Sequence, residues 1–375
     1  MVMDDRMVSL IHNVLLNHPE YIVSPTYNDM ICAYVKNNDE QYKLVDNSVI
    51  IETLVTLGLE RSGPSYLSTE LINEEHILFL KNLPQPMQKT AEWYKFRKEH
   101  ITASNAWKAF GTPASKNQLI YEKCVPLQDT NKGTETSEGI ETSEDTKIIT
   151  PNLSENAMTW GHMFEPLTRM LYESINNTSV LDFGCIEHQQ YPFLAASPDG
   201  IIVGPNNYGR MLEIKNVVSR EINGIPKLDY YIQTQLQMEV CGLNECDFVE
   251  TKFIEYDNYN DYITSIHTND RTGIIKVYVV NGSYIYSYMP FHLQNEDTIN
   301  EWLDSSSQEG EWIKNVYWKL ETYSCVLIKR KREWFAYAIP ILQELWNIIC
   351  TERIGDFSAR APRKRNIKIN INKIE

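Results

Sequence analysis

Residues 197–218 read Ser197-Pro198-Asp199-Gly200-Ile201-Ile202-Val203, a turn Gly204-Pro205-Asn206-Asn207-Tyr208-Gly209-Arg210, and Met211-Leu212-Glu213-Ile214-Lys215-Asn216-Val217-Val218. Two short apolar runs joined by a Gly-, Pro- and Asn-rich turn predict a hairpin. Side chains alternate along a strand, so Glu213 and Lys215 share one face while Ile214 points into the core. Folding back brings Asp199 beside Glu213. Two converging carboxylates are costly unless one is protonated or a divalent cation lies between them. Oxygen donors with open water positions suit Mg²⁺ or Mn²⁺ rather than Zn²⁺. The lysine then steadies a nucleophile or the charge of a phosphorane. A plain alternative stands beside this reading: Asp199 caps a turn, and Glu213 and Lys215 form a solvated pair worth ~0–1 kcal/mol.

On either side of this hairpin the pattern alternates between the two periodicities. Residues 157–175 predict a helix, with Pro166 tolerated if it falls in the first turn. Residues 228–242 have helical spacing and a Gly stop. Strands are expected at 247–255 and around Asn281-Gly282, a two-residue signal for a type I′ hairpin. Helices are expected again from about 296, with a long amphipathic one over 328–350. The order helix, strand, hairpin, strand, helix, strand describes an α/β or α+β core with a mixed sheet. Residues 1–85 read as a helical addition, with Met7, Leu10, Ile11, Val14 and Leu15 at helical spacing. Residues 125–156, including the near-repeat ETSEGIETSED, have almost nothing to bury and predict a mobile acidic insertion.

The chain has 375 residues, 42% of them apolar, with 35 Lys+Arg against 50 Asp+Glu and a net charge of −15. That apolar content supplies one large core or two modest ones and excludes disorder throughout. The acidity argues against a general polyanion binder, although local patches decide nucleic-acid binding. No run approaches a membrane span, and the acidic N-terminus does not read as a signal peptide. The 7 cysteines are scattered, without a CxxC pair, so reduced thiols and a cytosolic or nuclear, non-secreted protein are expected.

Further motifs lie in the same order along the chain. Upstream is Arg97 with Ile101-Thr102-Ala103-Ser104, then Trp160-Gly161-His162-Met163-Phe164-Glu165, then SPDG and LEIK. After them comes Tyr230-Tyr231-Ile232-Gln233-Thr234-Gln235-Leu236-Gln237. Together, over roughly residues 88–255, they resemble the phage lambda exonuclease and YqaJ-type viral recombinase nucleases of the PD-(D/E)xK superfamily. The resemblance implies a restriction-endonuclease-like core with a mixed central sheet flanked by helices, here occupying 86–295 between N-terminal helices (1–85) and a C-terminal helical region (296–375).

It also implies roles. Asp199 and Glu213 match the metal-binding carboxylates, with the backbone carbonyl of Ile214 a further ligand. Lys215 matches the lysine that orients water, Glu165 an additional acid, and Gln233 a glutamine beside the reacting phosphate, supported by Tyr230. Arg97 and Ser104 match the pair that holds a 5′-terminal phosphate, assisted by Ser197. Gln235 fits the Q-x-Q pattern, but Gln235 and Gln237 also fit a plain helix surface. Ser104 equally fits a cap for a helix starting near Asn105, and Trp160 reads as a core anchor. His100 and His162 fall on unspecified positions. Cys241 and Cys246 have the wrong spacing for an iron–sulfur cluster.

The implied function is a Mg²⁺-dependent exonuclease, with Mn²⁺ as substitute, that degrades one strand of linear duplex DNA from a 5′-phosphorylated end. It would serve viral replication or recombination beside a single-strand annealing protein, as a monomer or a homo-oligomer. A structure-selective endonuclease on the same core and an inactive DNA-binding scaffold are the rivals. Lys329, Arg330, Lys331 and Arg332, ahead of Trp334 and Phe335, read as DNA-backbone contacts or a solvated helix face. Arg360, Arg363, Lys364, Arg365, Lys368 and Lys373 make a basic tail that fits DNA contact or nuclear targeting.

Overall fold

The computed structural model describes residues 5–17, 27–56, 74–88, 90–126, 157–266, 271–280, 282–305 and 310–362. The acidic insertion from residue 127, Asn281 and the basic tail beyond 362 lie outside them.

Helices α1 (Asp5–Asn17), α2 (Tyr27–Asn38) and α3 (Asn47–Thr56) come first, followed by α4 (Glu74–Asn82). The first three share an apolar cluster of their own, including Met7, Ile11, Val14, Ile31, Val35 and Ile50. Next come α5 (Ala91–Lys98), β1 (Ile101–Thr102), α6 (Ala103–Ala106) and α7 (Pro113–Cys124). Thr90 and Thr112 cap α5 and α7 by accepting from the amides of Trp93 and Ser115.

Helix α8 (Ala157–Asn176) leads into β2 (Val180–Leu181), β3 (Ile186–Glu187), β4 (Leu194–Ala196), β5 (Gly200–Ile202) and β6 (Met211–Asn216). Pro166 lies in the middle of α8, not in its first turn. A proline there has no N–H to donate to the carbonyl of His162, four residues earlier. The β5–β6 turn uses Asn207 and Gly209 at φ of 61° and 77°, the left-handed region that Asn and Gly enter at least cost.

Helix α9 (Leu228–Cys241) then crosses to β7 (Glu245–Glu255), which pairs parallel to β6, and Gly242 closes α9 at φ 62°. Helix α10 (Tyr259–Ser265) precedes β8 (Thr272–Val280) and β9 (Ser283–Tyr288). These form the expected hairpin: Val280 pairs with Ser283, and Gly282 has φ 78°. Helix α11 (Glu296–Asp304), β10 (Glu311–Lys329) and α12 (Arg332–Ile354) follow.

The main sheet has seven strands in the order β2-β5-β6-β7-β10-β8-β9, and a smaller one has the order β1-β4-β3. The architecture is mixed α/β, a mixed sheet with α8 on one face of β6 and α9 on the other.

The expectation of helices throughout 296–375 is corrected at 311–329. That segment is a 19-residue strand at the heart of the sheet, antiparallel to both β7 and β8. Ile313, Val316, Tyr317, Trp318 and Tyr323 give it the β-branched and aromatic content of a strand. Of its charged residues, Glu321 pairs across the sheet with Lys252 at 2.6 Å. None of the seven cysteines is in a disulfide. Among the described residues no helix is long and apolar enough to cross a membrane.

Candidate active site

The β5–β6 hairpin pairs Gly200 with Leu212 and so sets Asp199 beside the middle of β6. Asp199 Oδ2 accepts the Ile214 amide at 2.7 Å. Glu213, fully buried, lies on the face that α9 covers. Gln233 and Gln237 stand one turn apart on α9 and reach the same carboxylate. Gln233 Nε2 donates to Glu213 Oε1 at 2.6 Å, and Gln237 Nε2 donates to Oε2 at 2.7 Å. Lys215 Nζ donates to Oε1 at 2.6 Å and lies 5.1 Å from the ring centroid of Tyr230.

Helix α8 supplies the third acid. Thr168 Oγ1 donates to Asn216 Oδ1 at 2.7 Å, and Asn216 Nδ2 donates to the carbonyl of Gly161 at 3.3 Å. This clamp ties α8 to the end of β6 and brings Glu165, one turn before Thr168, within electrostatic reach of Asp199.

Burial, then the negative charges of Glu213 and Glu165, push the Asp199 carboxyl well above the usual carboxylate range. Lys215 and the Ile214 amide oppose this without reversing it. For Lys215, burial works against the charge, but Glu213 and Asp199 outweigh it and hold its pKa above the ordinary lysine value. The site is thus one firmly protonated lysine among three acids.

No group of three or more His, Cys, Asp or Glu side chains among the described residues is arranged to hold a metal ion by itself. The donors still fit a hard cation that keeps several waters: carboxylates and a strand carbonyl, with no thiolate or imidazole. An ionised carboxylate has about four acceptor positions. Glu213 uses three of them on Lys215, Gln233 and Gln237.

A second locus adjoins the first. Strand β1 runs parallel to β4, with Ile101 opposite Leu194 and Thr102 opposite Ala195. Ser104 follows Thr102 by two residues, in α6, while Ser197 follows Ala195 by two and Asp199 follows Ser197 by two more. The Arg97 Nη2 donates to Ser104 Oγ at 3.1 Å, with the guanidinium 4.4 Å above the Trp93 ring. Ser197 Oγ accepts from Gln88 Nε2 at 3.0 Å, while its carbonyl accepts from Gln237 Nε2 at 3.1 Å. Gln237 therefore links the Ser197 segment to Glu213.

Ser104 is not a cap for a helix at Asn105. Helix α6 starts at Ala103, its N-cap residue is Thr102, and no side chain caps it.

Three other expectations change. Gln235 and Gln237 are buried, not surface residues. Gln235 serves the backbone, donating to the Lys329 carbonyl and accepting the Lys331 amide, both at 2.8 Å. The 329–332 cluster is not one basic face: Arg330 pairs with Glu239 at 2.7 Å, and Lys331 is buried with Nζ 5.4 Å from the Tyr231 ring. Arg360 likewise is engaged by Glu352 at 2.6 Å. Trp160 is buried in an apolar cluster with Phe164 and Phe253, as a core anchor should be. His100 holds the Phe96 carbonyl and Glu187 at 2.6 and 2.8 Å.

Residues 92–244 match the profile of the YqaJ-like viral recombinase domain. Over those residues the chain is similar to that domain. The matched stretch runs from α5 to the turn after α9 and contains Arg97, Ser104, Glu165, Ser197, Asp199, Glu213, Lys215, Gln233 and Gln237. Uncharacterized protein R354 of Acanthamoeba polyphaga mimivirus is 28% identical over 84% of this chain. The chain spans 62% of that relative's length. An alkaline exonuclease from Laribacter hongkongensis is similar at 19% identity, over 70% of this chain and 94% of its own, with a TM-score of 0.40. A phage-related exonuclease from Haemophilus somnus is similar at 13% identity, over 67% and 94%, with a TM-score of 0.35.

Proposed function

We propose that the protein is a divalent-metal-dependent deoxyribonuclease that degrades one strand of linear duplex DNA from a 5′-phosphorylated end. The observation that carries this reading is the parallel pairing of β1 and β4. It lays the segment that leads into Ser104 beside the strand that leads into Ser197, with Arg97 bonded to Ser104 and Asp199 two residues beyond Ser197. An end-binding pocket next to a cluster of acids suits an enzyme that grips a terminal phosphate and cuts the neighbouring linkage. The guanidinium fork of Arg97 matches a phosphate through two hydrogen bonds.

Asp199 and Glu213, with the Ile214 carbonyl, would hold Mg²⁺ or Mn²⁺, and Glu165 would assist. Such a cation, when bound, lowers the pKa of coordinated water and offsets charge at the phosphorus centre. Lys215 would orient the attacking water and share the developing charge through Nζ. Gln233 and Gln237 fix the rotamer of Glu213, and Tyr230 supports Lys215. The product, a 3′ single-stranded overhang, suits an annealing protein during viral replication or recombination in the host cytoplasm or nucleus. Residues 86–295 are the proposed catalytic unit, with β10 and α12 completing its sheet and core. Assembly into a homo-oligomer is compatible with this scheme.

One linear duplex labelled separately at each 5′ and 3′ terminus, with and without a 5′ phosphate, tests the proposal. It is digested in Mg²⁺ beside a closed circle, with EDTA and Asp199→Ala as controls. Early release of the 5′-labelled mononucleotide, with the circle spared, is the expected result. Internal fragments or a cut circle would make the protein an endonuclease, and no Mg²⁺-dependent cleavage at all would leave a scaffold.

A further inference from the structure

The C-termini of α5 and α7 meet, and their last carbonyls are held by cations. Lys123 Nζ donates to the Arg97 carbonyl at 2.6 Å, and Lys98 Nζ to the Glu122 carbonyl at 2.9 Å. Arg353 of α12 reaches the carbonyls of Lys98 and Lys123 at 3.1 and 3.2 Å. Positive charge is favourable at helix C-termini, so each of these groups has a structural use.

The guanidinium of Arg97 differs. Its neighbours are the Ser104 hydroxyl and the Trp93 ring, and burial is the main influence that lowers its pKa, with only Cys185 and Tyr94 opposing. Glu122, which acts on Lys123 and Lys98, accepts from Lys108 at 2.8 Å with both carboxylate oxygens. Lys123, 5% exposed, is thus a buried amine beside Arg97, tied to it by the bond from Nζ to the Arg97 carbonyl.

We propose that Lys123 is a positioning residue of the terminal-phosphate pocket, fixing the end of α5 and adding its charge to that of Arg97, so that the grip on a 5′ phosphate depends on its protonation. The inference rests on the reading of Arg97 and Ser104 as the end-binding pair and deepens it. The groups that face the Lys123 ammonium are Arg97 and Lys98 from α5, Glu122 from α7 itself and Cys185 from the segment before β3. Burial first, then Arg97, lower its pKa to about 7. Without DNA, Lys123 is charged below that value and neutral above it. An incoming phosphate dianion favours the charged form, so binding takes up a proton at higher pH and weakens as pH rises.

The experiment measures the dissociation constants of a 5′-phosphorylated and a 5′-hydroxyl hairpin duplex in EDTA, from pH 6.5 to 9. A terminal phosphate has its second pKa near 6, so over this window it is mostly dianionic already. For the wild-type chain, the 5′-hydroxyl dissociation constant divided by the 5′-phosphate one should fall about five- to tenfold across the window, as one pKa unit of coupling requires. Lys123→Met should give a lower, flat ratio. Lys123→Arg, which keeps its charge, should give a flat ratio at the high level. A wild-type ratio independent of pH, or a Lys123→Met profile that matches wild type, overturns the inference. Arg97→Ala separates the two claims: if it leaves the preference for a 5′ phosphate intact, the end-binding reading itself falls.

Discussion

Asp199 and Asp247 both belong to the β5–β6–β7 unit, and the fold treats them in opposite ways. Asp247, opposite Leu212 in the parallel pair, is 3% exposed and fully compensated. The Tyr172 hydroxyl donates to it at 2.5 Å, and Arg210 Nη1 reaches both oxygens at 3.0 and 3.2 Å. Asp199 faces two further acids and shares a single lysine with them. Neutralising a carboxylate is thus within the means of this scaffold a few residues away. The unrelieved acidity around Asp199 is a local arrangement that costs stability and suits a bound cation.

Exchanging charge for neutrality at the two positions gives the sharpest break. Asp199→Asn should lower DNA cleavage in Mg²⁺ by about three orders of magnitude or more, since several kcal/mol of barrier are at stake. The same variant should melt no lower than wild type in EDTA, because it removes like-charge repulsion. Asp247→Ala should do the reverse, costing about 3–5 kcal/mol in a denaturant titration by stranding Arg210 and the Tyr172 hydroxyl. A destabilised Asp199→Asn protein would show that the acids are already balanced.

The pH dependence separates the same pair. A carboxyl whose folded pKa is raised keeps a proton that the unfolded chain has released, so its stabilisation is complete below the ordinary Asp value near ~4 and is lost as pH rises through the raised value. Metal-free wild type should lose stability over that interval, and Asp199→Asn should lack this component. Mg²⁺ at about 100 times its dissociation constant should restore about 2.7 kcal/mol to wild type alone. Melting curves in EDTA and in Mg²⁺ across pH would read both effects; identical curves for the two proteins would contradict the charge argument.

Smaller effects distinguish two glutamines on one helix. Gln237→Leu frees Glu213 Oε2 and the Ser197 carbonyl, so metal affinity or cleavage should drop about 10–100-fold, the usual effect of losing a group that orients a ligand. Gln235→Ala should cost about 1–3 kcal/mol of stability through the Lys329–Lys331 junction, with the cleavage rate unchanged. Equal losses of activity in both variants would erase the distinction.

How much of this was legible in the sequence follows from range. Asp199, Glu213 and Lys215 could be paired because a hairpin and a period of two are local rules, and the turn residues Asn207 and Gly209 announced the reversal. Gln237 could not be assigned from its own neighbourhood. Its partners are 24 and 40 residues away, and a buried glutamine looks like an exposed one in a helical pattern. A signal was present in its spacing: Gln233 and Gln237 share one face of α9. Arg330 and Lys331 were misjudged for the same reason, since a basic run reveals neither the Glu239 carboxylate nor the Tyr231 ring that receives it. Strand β10 was missed because charged residues dilute its alternation, and only β7 and β8 supply their partners.

The place of β10 has a consequence for how the protein is made. A ribosome delivers β7 and β8 well before Glu311–Lys329, yet these two strands do not bond to each other; both bond to β10. Until that segment emerges, the nascent chain exposes two open strand edges on either side of a vacant central lane, the kind of edge that recruits neighbouring chains. Asp199 and the proposed catalytic residues on β6 and α9 are all translated by then. Completion of the sheet beneath them waits for the last strand, so premature termination before residue 311 should yield insoluble protein even though every proposed active-site residue is present.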